Sequence, residues 1–397
     1  MIQATIRTYK NAYSGLSRET WLLSLIMLIN RSGTMVIPFM TLYLTSPAMG
    51  YSISKAGIVF GLFGAGAFSG AWLGGRLTDK IGFYPVQWIA LLGGGILFIL
   101  LGQMKTYPLI CLFTFLLSFV NESFRPANST AIAFYSKESN RTRSYALNRL
   151  AINLGWAVGL AVGGFLAELN YEYLFWVDGF TNISAAVLIW MFLKPVVIKT
   201  APKEVKKEVR NSVPAYRDKQ FLYFILFTTI FAACFFQLFT NLPVYFRKDL
   251  HLSEGFIGFI MSINGVMIAI LEMVFVYKME GKRRNISLIS LGVFFVGVSF
   301  LSLNLPGLTG LYVLFMISIV TVGEIFAMPF MNTYWITRTQ AHNRGQYAAL
   351  YTMAWSAAQT LGPMGAAAIA DHRGFHFLWW IVGGCCILCA LLFRSLE

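Results

Sequence analysis

Apolar runs long enough to cross a bilayer recur along almost the whole chain, from Trp21 to Leu392. A transmembrane helix needs about 20 consecutive, mostly apolar residues, and twelve such runs follow one another, hereafter spans 1 to 12. Because lipid offers no hydrogen bonds to the backbone, continuous runs predict helices, whereas a membrane β-barrel would show short alternating segments. The spans lie at roughly residues 20–44, 54–77, 84–104, 108–134, 144–168, 173–193, 220–246, 254–277, 286–305, 309–335, 346–370 and 375–394.

These runs predict an all-α integral membrane protein with twelve transmembrane helices. The composition agrees, because 57% of the residues are hydrophobic and only 12% are charged, whereas a soluble protein carries about 25% charged residues. Cys386 and Cys389 have the spacing of a CxxC pair, but no second pair or histidine lies near them in the sequence. We therefore expect neither a metal site nor a cofactor.

The net charge of +14 would by itself suit a nucleic-acid-binding protein, but its distribution indicates an orientation in a membrane. With both termini in the cytoplasm, most loop arginines and lysines lie inside, as the positive-inside rule requires. We therefore expect a multi-pass protein of the bacterial plasma (inner) membrane with both termini cytoplasmic, and no nucleic-acid partner. The basic residues that fall in loops on the outer side are Lys55, Lys105, Arg247, Lys248 and Arg373.

A long polar stretch divides six spans from six, which invites a search for an internal repeat. Matches recur in order at an offset of 203, as in Pro126 with Pro329 and Gly159 with Gly362, and Asp79 matches Glu280 at 201. Two pseudo-symmetric six-helix halves of this kind suit a transporter that rocks around a central site. We expect a cytoplasmic N-terminal segment at 1–19, six-helix bundles at 20–193 and 220–397, and a cytoplasmic linker at 194–219.

We single out six of the charged residues inside the predicted spans; Asp178 lies near the outer end of span 6 and is expected to be structural. A charge at the bilayer centre costs roughly 2.5–3.5 kcal/mol or more, so it is retained mainly where it faces a wet cavity or a partner. Such residues predict a protein that moves something polar or charged across the membrane. They are Arg31, Glu122, Arg125, Arg149, Glu272 and Glu324.

The carboxylates among them are candidate proton carriers. Glu122 in span 4 and Glu324 in span 10 lie in repeat-equivalent helices, each shortly before a proline, and are the leading candidates; Glu272 is a third. An apolar environment favours the neutral form of a carboxyl group and a nearby arginine favours the charged form. Alternatively, Glu122 and Arg125 share a helix face at i, i+3 and neutralise each other, and Glu272 snorkels to the interface or pairs at a gate.

The remaining intramembrane charges and several amides are candidate cavity residues. Arg31, beside Asn30, lies at mid-depth in span 1 and could bind a substrate anion, pair with an acid across the cavity, or serve packing. Arg149 could bind substrate or hold a cytoplasmic gate, with Tyr145 and Asn153 one turn on either side. Further candidates, which could instead be hydrogen-bonding glue between helices, are Gln237, Asn264 and Gln359.

The loop after span 2 reads Gly75-Arg-Leu-Thr-Asp79-Lys80-Ile-Gly82. It resembles the signature loop of the major facilitator superfamily, Gly-x-x-x-Asp-(Arg/Lys)-x-Gly, although the two basic positions that follow in the family are Phe83 and Tyr84 here. The resemblance implies a conformational switch, in which Asp79 caps a helix of the other half and locks the outward-facing state.

Span 5 is similar to the glycine-rich fifth helix of proton-coupled drug antiporters of that family. Gly155, Gly159 and Gly163 recur at i, i+4 and i+8 and give one smooth face for close helix packing. Leu160 replaces the family's proline, which is kept at the repeat-equivalent place in span 11 as Pro363. Span 10 around Glu324 also resembles the proton-driven multidrug members.

Together these features predict a proton-coupled secondary transporter that works by alternating access and exports amphipathic small molecules. The alternative is a proton symporter that imports a small anionic or zwitterionic solute such as a peptide. No phosphate-binding P-loop and no protease or hydrolase motif occurs in the sequence, so neither ATP-driven transport by this chain nor enzyme activity is expected. The expected partners are the substrate, protons and the lipid bilayer, and the expected state is a monomer.

Overall fold

The computed structural model describes residues 2–195, 214–252, 254–305, 310–340 and 342–396. The regular structure of these residues consists of α-helices and three short 3-10 turns, with no strand among them. Residues 196–213 of the predicted linker lie outside these ranges, so the division of the chain at that linker stays a prediction. The helices are α1 (Ile2–Tyr13), α2 (Arg18–Ser32), α3 (Val36–Thr45), α4 (Ile53–Ile81), α5 (Phe83–Gln103), α6 (Tyr107–Asn121), α7 (Phe124–Tyr135), α8 (Arg141–Leu169), α9 (Glu172–Phe192), α10 (Lys219–Phe235), α11 (Asn241–Lys248), α12 (Glu254–Met279), α13 (Asn285–Ser302), α14 (Gly310–Thr337), α15 (Arg344–Arg373) and α16 (Phe375–Arg394).

Eleven segments of the described chain are long and apolar enough to cross a membrane, and α15, with 30 residues, supplies the twelfth span. The helical membrane fold predicted from the apolar runs is confirmed. Spans 2, 3, 5 and 6 are α4, α5, α8 and α9, and spans 8 to 12 are α12 to α16. Spans 1, 4 and 7 consist of two helices each: α2 with α3, α6 with α7, and α10 with α11.

The break in span 1 is stabilised by a buried carboxylate. Between α2 and α3 the backbone amides of Met35 and Val36 lack helical partners, and both donate to Asp178 of α9 at 2.8–3.0 Å. Asn182, one turn along α9, accepts a hydrogen bond from Asn30 at 2.9 Å. Since an unpaired buried amide is costly in a membrane, Asp178 makes this interruption of the helix possible.

Both ends of the chain lie at one end of the bundle, hereafter the terminal side. Gly15, just after α1, accepts a hydrogen bond from Asn140 at 2.7 Å, and Leu396 accepts one from Gln220 at 2.6 Å. The two halves meet directly on this side, since Thr333 of α14 donates to Thr142 of α8 at 2.8 Å.

The two halves are in contact on the terminal side and lie further apart towards the opposite side of the bundle. Along α4, Gly75 packs against the α15 backbone at Gly345, and further along a Cβ on Gly64 would lie 3.0 Å from the Thr360 side chain. Beyond that level, Cβ atoms on Gly57 and Gly61 would meet nothing within 4 Å. The space between the halves is therefore closed at the terminal side and open at the opposite side.

Candidate functional site

Arg149 of α8 crosses from the first half to two carboxylates of the second. Its guanidinium donates to Glu272 of α12 through Nη1 and to Glu324 of α14 through Nη2. The exposed fractions of the three side chains are 11%, 2% and 4%. Three intramembrane charges separated widely in sequence therefore form one buried group between the halves.

The two carboxylates in this group have different surroundings. The second oxygen of Glu324, Oε2, accepts a hydrogen bond from Asn264 Nδ2 at 2.9 Å, and the same amide nitrogen lies 2.9 Å from Thr321 Oγ1. The second oxygen of Glu272, Oε1, is buried and has no hydrogen-bond partner among the described residues. Arg149, Glu272, Glu324 and Asn264 are hereafter the Arg149 cluster, which carries a net charge of −1 when every group is ionised.

The other intramembrane charges form a second group inside the first half. Arg125 Nη1 lies 3.2 Å from Glu122 Oε2 across the break of span 4, which is the mutual pairing that the i, i+3 spacing allowed. Arg31 of α2 lies within electrostatic range of Glu122 and Arg125. These three residues, hereafter the Arg31 cluster, carry a net charge of +1.

Several predicted cavity residues instead hold helices together. Asn30 donates to Asn182 of α9, and the Tyr145 hydroxyl donates to the Ser129 carbonyl at 2.6 Å. Gln237, at the break of span 7, donates to Ala233 and accepts from Asn241 at 2.6 Å. For Gln237, these contacts agree with the alternative that it hydrogen-bonds neighbouring segments together.

The structure places the other polar candidates in different surroundings. Asn153, one turn beyond Arg149 on α8, has a buried Nδ2 without a hydrogen-bond partner in the described ranges. Gln359 of α15 is exposed. Asn264 belongs to the Arg149 cluster. Pro363 lies inside α15 and its carbonyl accepts from Asn241 at 3.3 Å.

Asp79 caps the first turn of α15 in the opposite half. Its two carboxylate oxygens accept hydrogen bonds from the amides of Gly345 at 2.6 Å and Gln346 at 2.9 Å. A carboxylate at a helix N-terminus is favoured by the free amides and by the helix dipole. Gly82 ends α4 with φ of 90°, a conformation that suits glycine, and Lys80 is exposed. Asp79 therefore joins α4 of the first half to α15 of the second half on the closed terminal side.

A second cap of the same kind joins the halves in the other direction. Glu280, at the end of α12, accepts from the amide of Thr142 at 2.7 Å and from Arg143 Nε at 2.9 Å, both at the start of α8. The sequence matched Glu280 to Asp79 at the offset of 201 but did not identify it as a site residue; that match was the signal that could have found it.

Arg143 also attaches the N-terminal helix to this closure. Its Nη1 donates to the carbonyls of Asn11, Ala12 and Ser14 at 3.1–3.4 Å, at the end of α1. From the same helix, the hydroxyl of Tyr9 donates to the Ile270 carbonyl of α12 at 2.6 Å. The helix α1 thus bridges both halves on the terminal side.

Comparison with known proteins decides the family. The model of the Major Facilitator Superfamily matches residues 20–363 of the chain. The chain belongs to the major facilitator superfamily. This confirms the resemblance seen in the loop after span 2, and it makes the protein a membrane transporter for small molecules rather than an enzyme.

Relatives and solved structures match most of the chain. The class B tetracycline resistance protein of Escherichia coli is 20% identical over 336 residues, which are 82% of this chain and 81% of that protein. The human organic anion transporter MFSD10 (TETRAN) superposes with a TM-score of 0.76 at 14% identity, covering 95% of this chain and 100% of that one. FucP in the outward conformation has a TM-score of 0.75 at 12% identity, covering 95% and 98%.

Proposed function

We propose that this superfamily member is a proton-coupled secondary transporter that exports amphipathic small molecules by alternating access. The observation that carries the proposal is the buried Arg149 cluster, in which one arginine of the first half is held by two carboxylates of the second. A group of this kind can change its charge by one proton and at the same time loosen or tighten the contact between the halves.

Glu272 is the proton carrier in this proposal, rather than Glu122 or Glu324. Both oxygens of Glu324 are hydrogen-bonded in its charged form, one by Arg149 and one by Asn264. The free oxygen of Glu272 is buried without a partner among the described residues, and a buried charge without full compensation is costly. A proton on this oxygen brings the net charge of the Arg149 cluster from −1 to zero.

Protonation is then coupled to the direction in which the cleft opens. While the terminal side is closed, Arg149 is bound to both carboxylates of the second half. Neutral Glu272 loses its ionic attraction to Arg149, so the contact between the halves weakens and opening to the terminal side becomes more favourable. A proton taken up from the open side would be released on the terminal side, where substrate enters for export.

The orientation and the direction of transport belong to the same proposal. The charge distribution of the loops supports a cytoplasmic terminal side in a bacterial inner membrane, and we propose a monomer. Similarity to a tetracycline resistance protein supports export. A fucose:proton symporter, FucP of E. coli, shares the fold at a TM-score of 0.73, so the test below also distinguishes import by symport.

The test is a transport measurement on the purified full chain in proteoliposomes with an acidic interior and a pH-sensitive dye inside, with tetracycline as the probe. If tetracycline does not move, the probe becomes the compound from a panel of drugs, peptides and sugars that most raises the thermal midpoint of the protein. For the wild type we expect accumulation of the probe together with alkalinisation of the interior. Glu272→Gln should show neither accumulation of the probe nor alkalinisation, but it should still exchange probe across the membrane.

The control is Glu168→Gln, which removes an exposed carboxylate near the end of α8 and should leave coupling intact. Full proton coupling in Glu272→Gln would contradict the assignment of the proton carrier. Movement of probe and protons in the same direction would replace antiport with symport.

A further inference from the structure

We propose that Arg31 and Arg125 bind the anionic group of an aromatic organic substrate, whose ring packs against aromatic side chains of spans 7 and 11. The inference rests on the proposed transport function and adds the chemical class of the substrate. It is carried by an arginine without a partner, by the charge balance around it, and by the aromatic side chains on the facing half.

Arg31 has no hydrogen bond or ion pair with any residue that the structure describes. It lies in the last turn of α2, directly before the break of span 1, and its place in the sequence of span 1 predicts mid-depth in the membrane. An arginine at this depth is strongly destabilised unless it meets a partner or a water-filled space. Its guanidinium is therefore free to receive an anion that enters the space between the halves.

The charges around Arg31 are not balanced. Glu122 lies within electrostatic range of it, and Glu122 is already paired with Arg125 at 3.2 Å. The side chain of Arg125 is 33% exposed, so it is also accessible. Within the Arg31 cluster two arginines stand against one carboxylate, so a single anionic group on the substrate would neutralise the cluster.

The backbone that presents Arg31 is held close to the neighbouring helix. A Cβ on Gly155 would lie 2.6 Å from Arg31 Cβ, and one on Gly159 would lie 2.9 Å from the Ser32 carbonyl oxygen. Because the Cα atoms of α8 come this close to α2, the backbone and Cβ of Arg31 are held in place. Binding an anion then orders only the side-chain torsions of Arg31 and needs no rearrangement of its backbone.

Aromatic side chains of the second half lie near this charge. Tyr351 of α15 is within electrostatic range of both Arg149 and Arg125. The ring of Trp355, one turn further, is 6.2 Å from Tyr351 and 5.9 Å from Phe236. These rings give a large, adaptable apolar surface, so the site suits an aromatic carboxylate or sulfonate better than a sugar or an amino acid.

The experiment measures binding of two matched probes, naphthalene-2-carboxylate and naphthalene-2-carboxamide, to the purified full chain by calorimetry at neutral pH. The two share the ring and differ in charge. We expect the carboxylate to bind at least tenfold more tightly than the amide. Arg31→Gln should remove this preference, Arg31→Lys should keep part of it, and Arg125→Gln should reduce it.

The control variant is Arg76→Gln, which removes one positive charge from the exposed side of α4, where Arg76 stacks 3.9 Å from the Trp72 ring centroid. It should keep the full preference. Thermal midpoints of all variants show whether each is folded; if Arg31→Gln is not, Arg31→Lys and Arg125→Gln decide. Equal binding of the two probes, no binding of either, or an unchanged preference in the folded arginine variants would overturn the inference.

Failure here and failure of the proposed function are distinguishable. Glu272→Gln should retain the carboxylate preference, because Glu272 belongs to the other charge cluster. If Glu272→Gln remains fully coupled, proton coupling through Glu272 is wrong while the preference for anions stands. If the preference is absent but coupling depends on Glu272, only the substrate class is wrong.

Discussion

Asp218, the residue before α10, ties together three elements of the second half. Arg338 at the end of α14 donates to both of its oxygens at 2.9 and 3.0 Å, and the Tyr347 hydroxyl donates at 3.0 Å. The amide of Phe221 donates to it as a helix cap at 3.1 Å. Although burial raises the pKa of Asp218, these hydrogen bonds hold it below its usual value of 3.8.

A lowered pKa in the folded state makes the contribution of Asp218 dependent on pH. The stabilisation is fully present above pH 3.8 and is lost as the pH falls through the lower pKa of the folded protein. We expect Asp218→Asn to destabilise the protein by about 1.5–3 kcal/mol at neutral pH, the usual range for hydrogen bonds to a charged group. Thermal midpoints in detergent as a function of pH check this.

The difference in thermal midpoint between wild type and Asp218→Asn should shrink as the pH falls below 3.8. Asp249→Asn, at an exposed carboxylate after α11, is the control and should behave as the wild type. A difference that stays constant down to pH 2 would contradict the ionic role of Asp218.

At the scale of single residues, the sequence identified the six intramembrane charges but not their grouping. The repeat placed Glu122 and Glu324 in equivalent positions, whereas the structure joins Glu324 to Glu272 through Arg149. Helical periodicity states which residues share a face of one helix. It does not state which faces of two separate halves oppose each other, so the cluster could not be derived from spacing.

At the scale of helices, the glycine face of α8 lies against span 1. A Cβ on Gly163 would lie 3.1 Å from Met35 Cβ, continuing the close contacts that Gly155 and Gly159 make with α2. The two helices approach so closely that no side chain larger than hydrogen fits without a shift. This contact fixes the backbone around Arg31 against α8.

Gly159→Ala should therefore destabilise the protein, because the added methyl group would meet the Ser32 carbonyl oxygen at 2.9 Å. The expected loss is about 1–3 kcal/mol, the usual cost of overpacking, and the thermal midpoint in detergent measures it. The matched control is Gly61→Ala in α4, where nothing lies within 4 Å and where alanine should be neutral or stabilising by up to about 1 kcal/mol. An equal response of the two variants would contradict the packing role of Gly159.

Pro126 predicted a kink in span 4, but the sequence did not predict the interruptions of spans 1 and 7. Hydropathy sums the apolar character of a run, and a short interruption hardly changes that sum. Proline is an incomplete guide as well: Pro126 follows the break of span 4 closely, while Pro329 lies inside the continuous helix α14. In span 1 the deciding residue is Asp178 of another helix, which no local pattern in span 1 reveals.

At the scale of the whole molecule, two related carboxylates close the terminal side. Asp79 of the first half caps α15, and Glu280 of the second half caps α8. The internal repeat therefore appears in the structure as two helix caps, each formed by a carboxylate of one half on a helix of the other half. Between them and the open side lies the Arg149 cluster, which spans the same two halves and contains the proposed proton site.

The six intramembrane charges singled out in the sequence form two groups of opposite net charge. Counted by half, these six are two net positive in the first half and two net negative in the second. In the structure, Arg149 joins the glutamates of the second half, which leaves clusters of +1 and −1. Our account assigns the negative cluster to the proton and the positive cluster to the substrate.

The central claim is that protonation of Glu272 releases the contact between the halves. The most direct test measures distances between spin labels on Lys137→Cys and Gln340→Cys, two exposed positions on the terminal side, one in each half. They are equivalent at the repeat offset of 203. The five native cysteines are replaced by alanine, and the distances are recorded by double electron–electron resonance between pH 5 and 9.

In the otherwise native sequence we expect a short distance at high pH and a growing population of longer distances as the pH falls. Glu272→Gln, which imitates the protonated form, should give the longer distances at every pH, whereas Glu168→Gln should follow the parent. Distances that do not change with pH, or a Glu272→Gln variant that keeps the short distance and its pH response, would contradict the account.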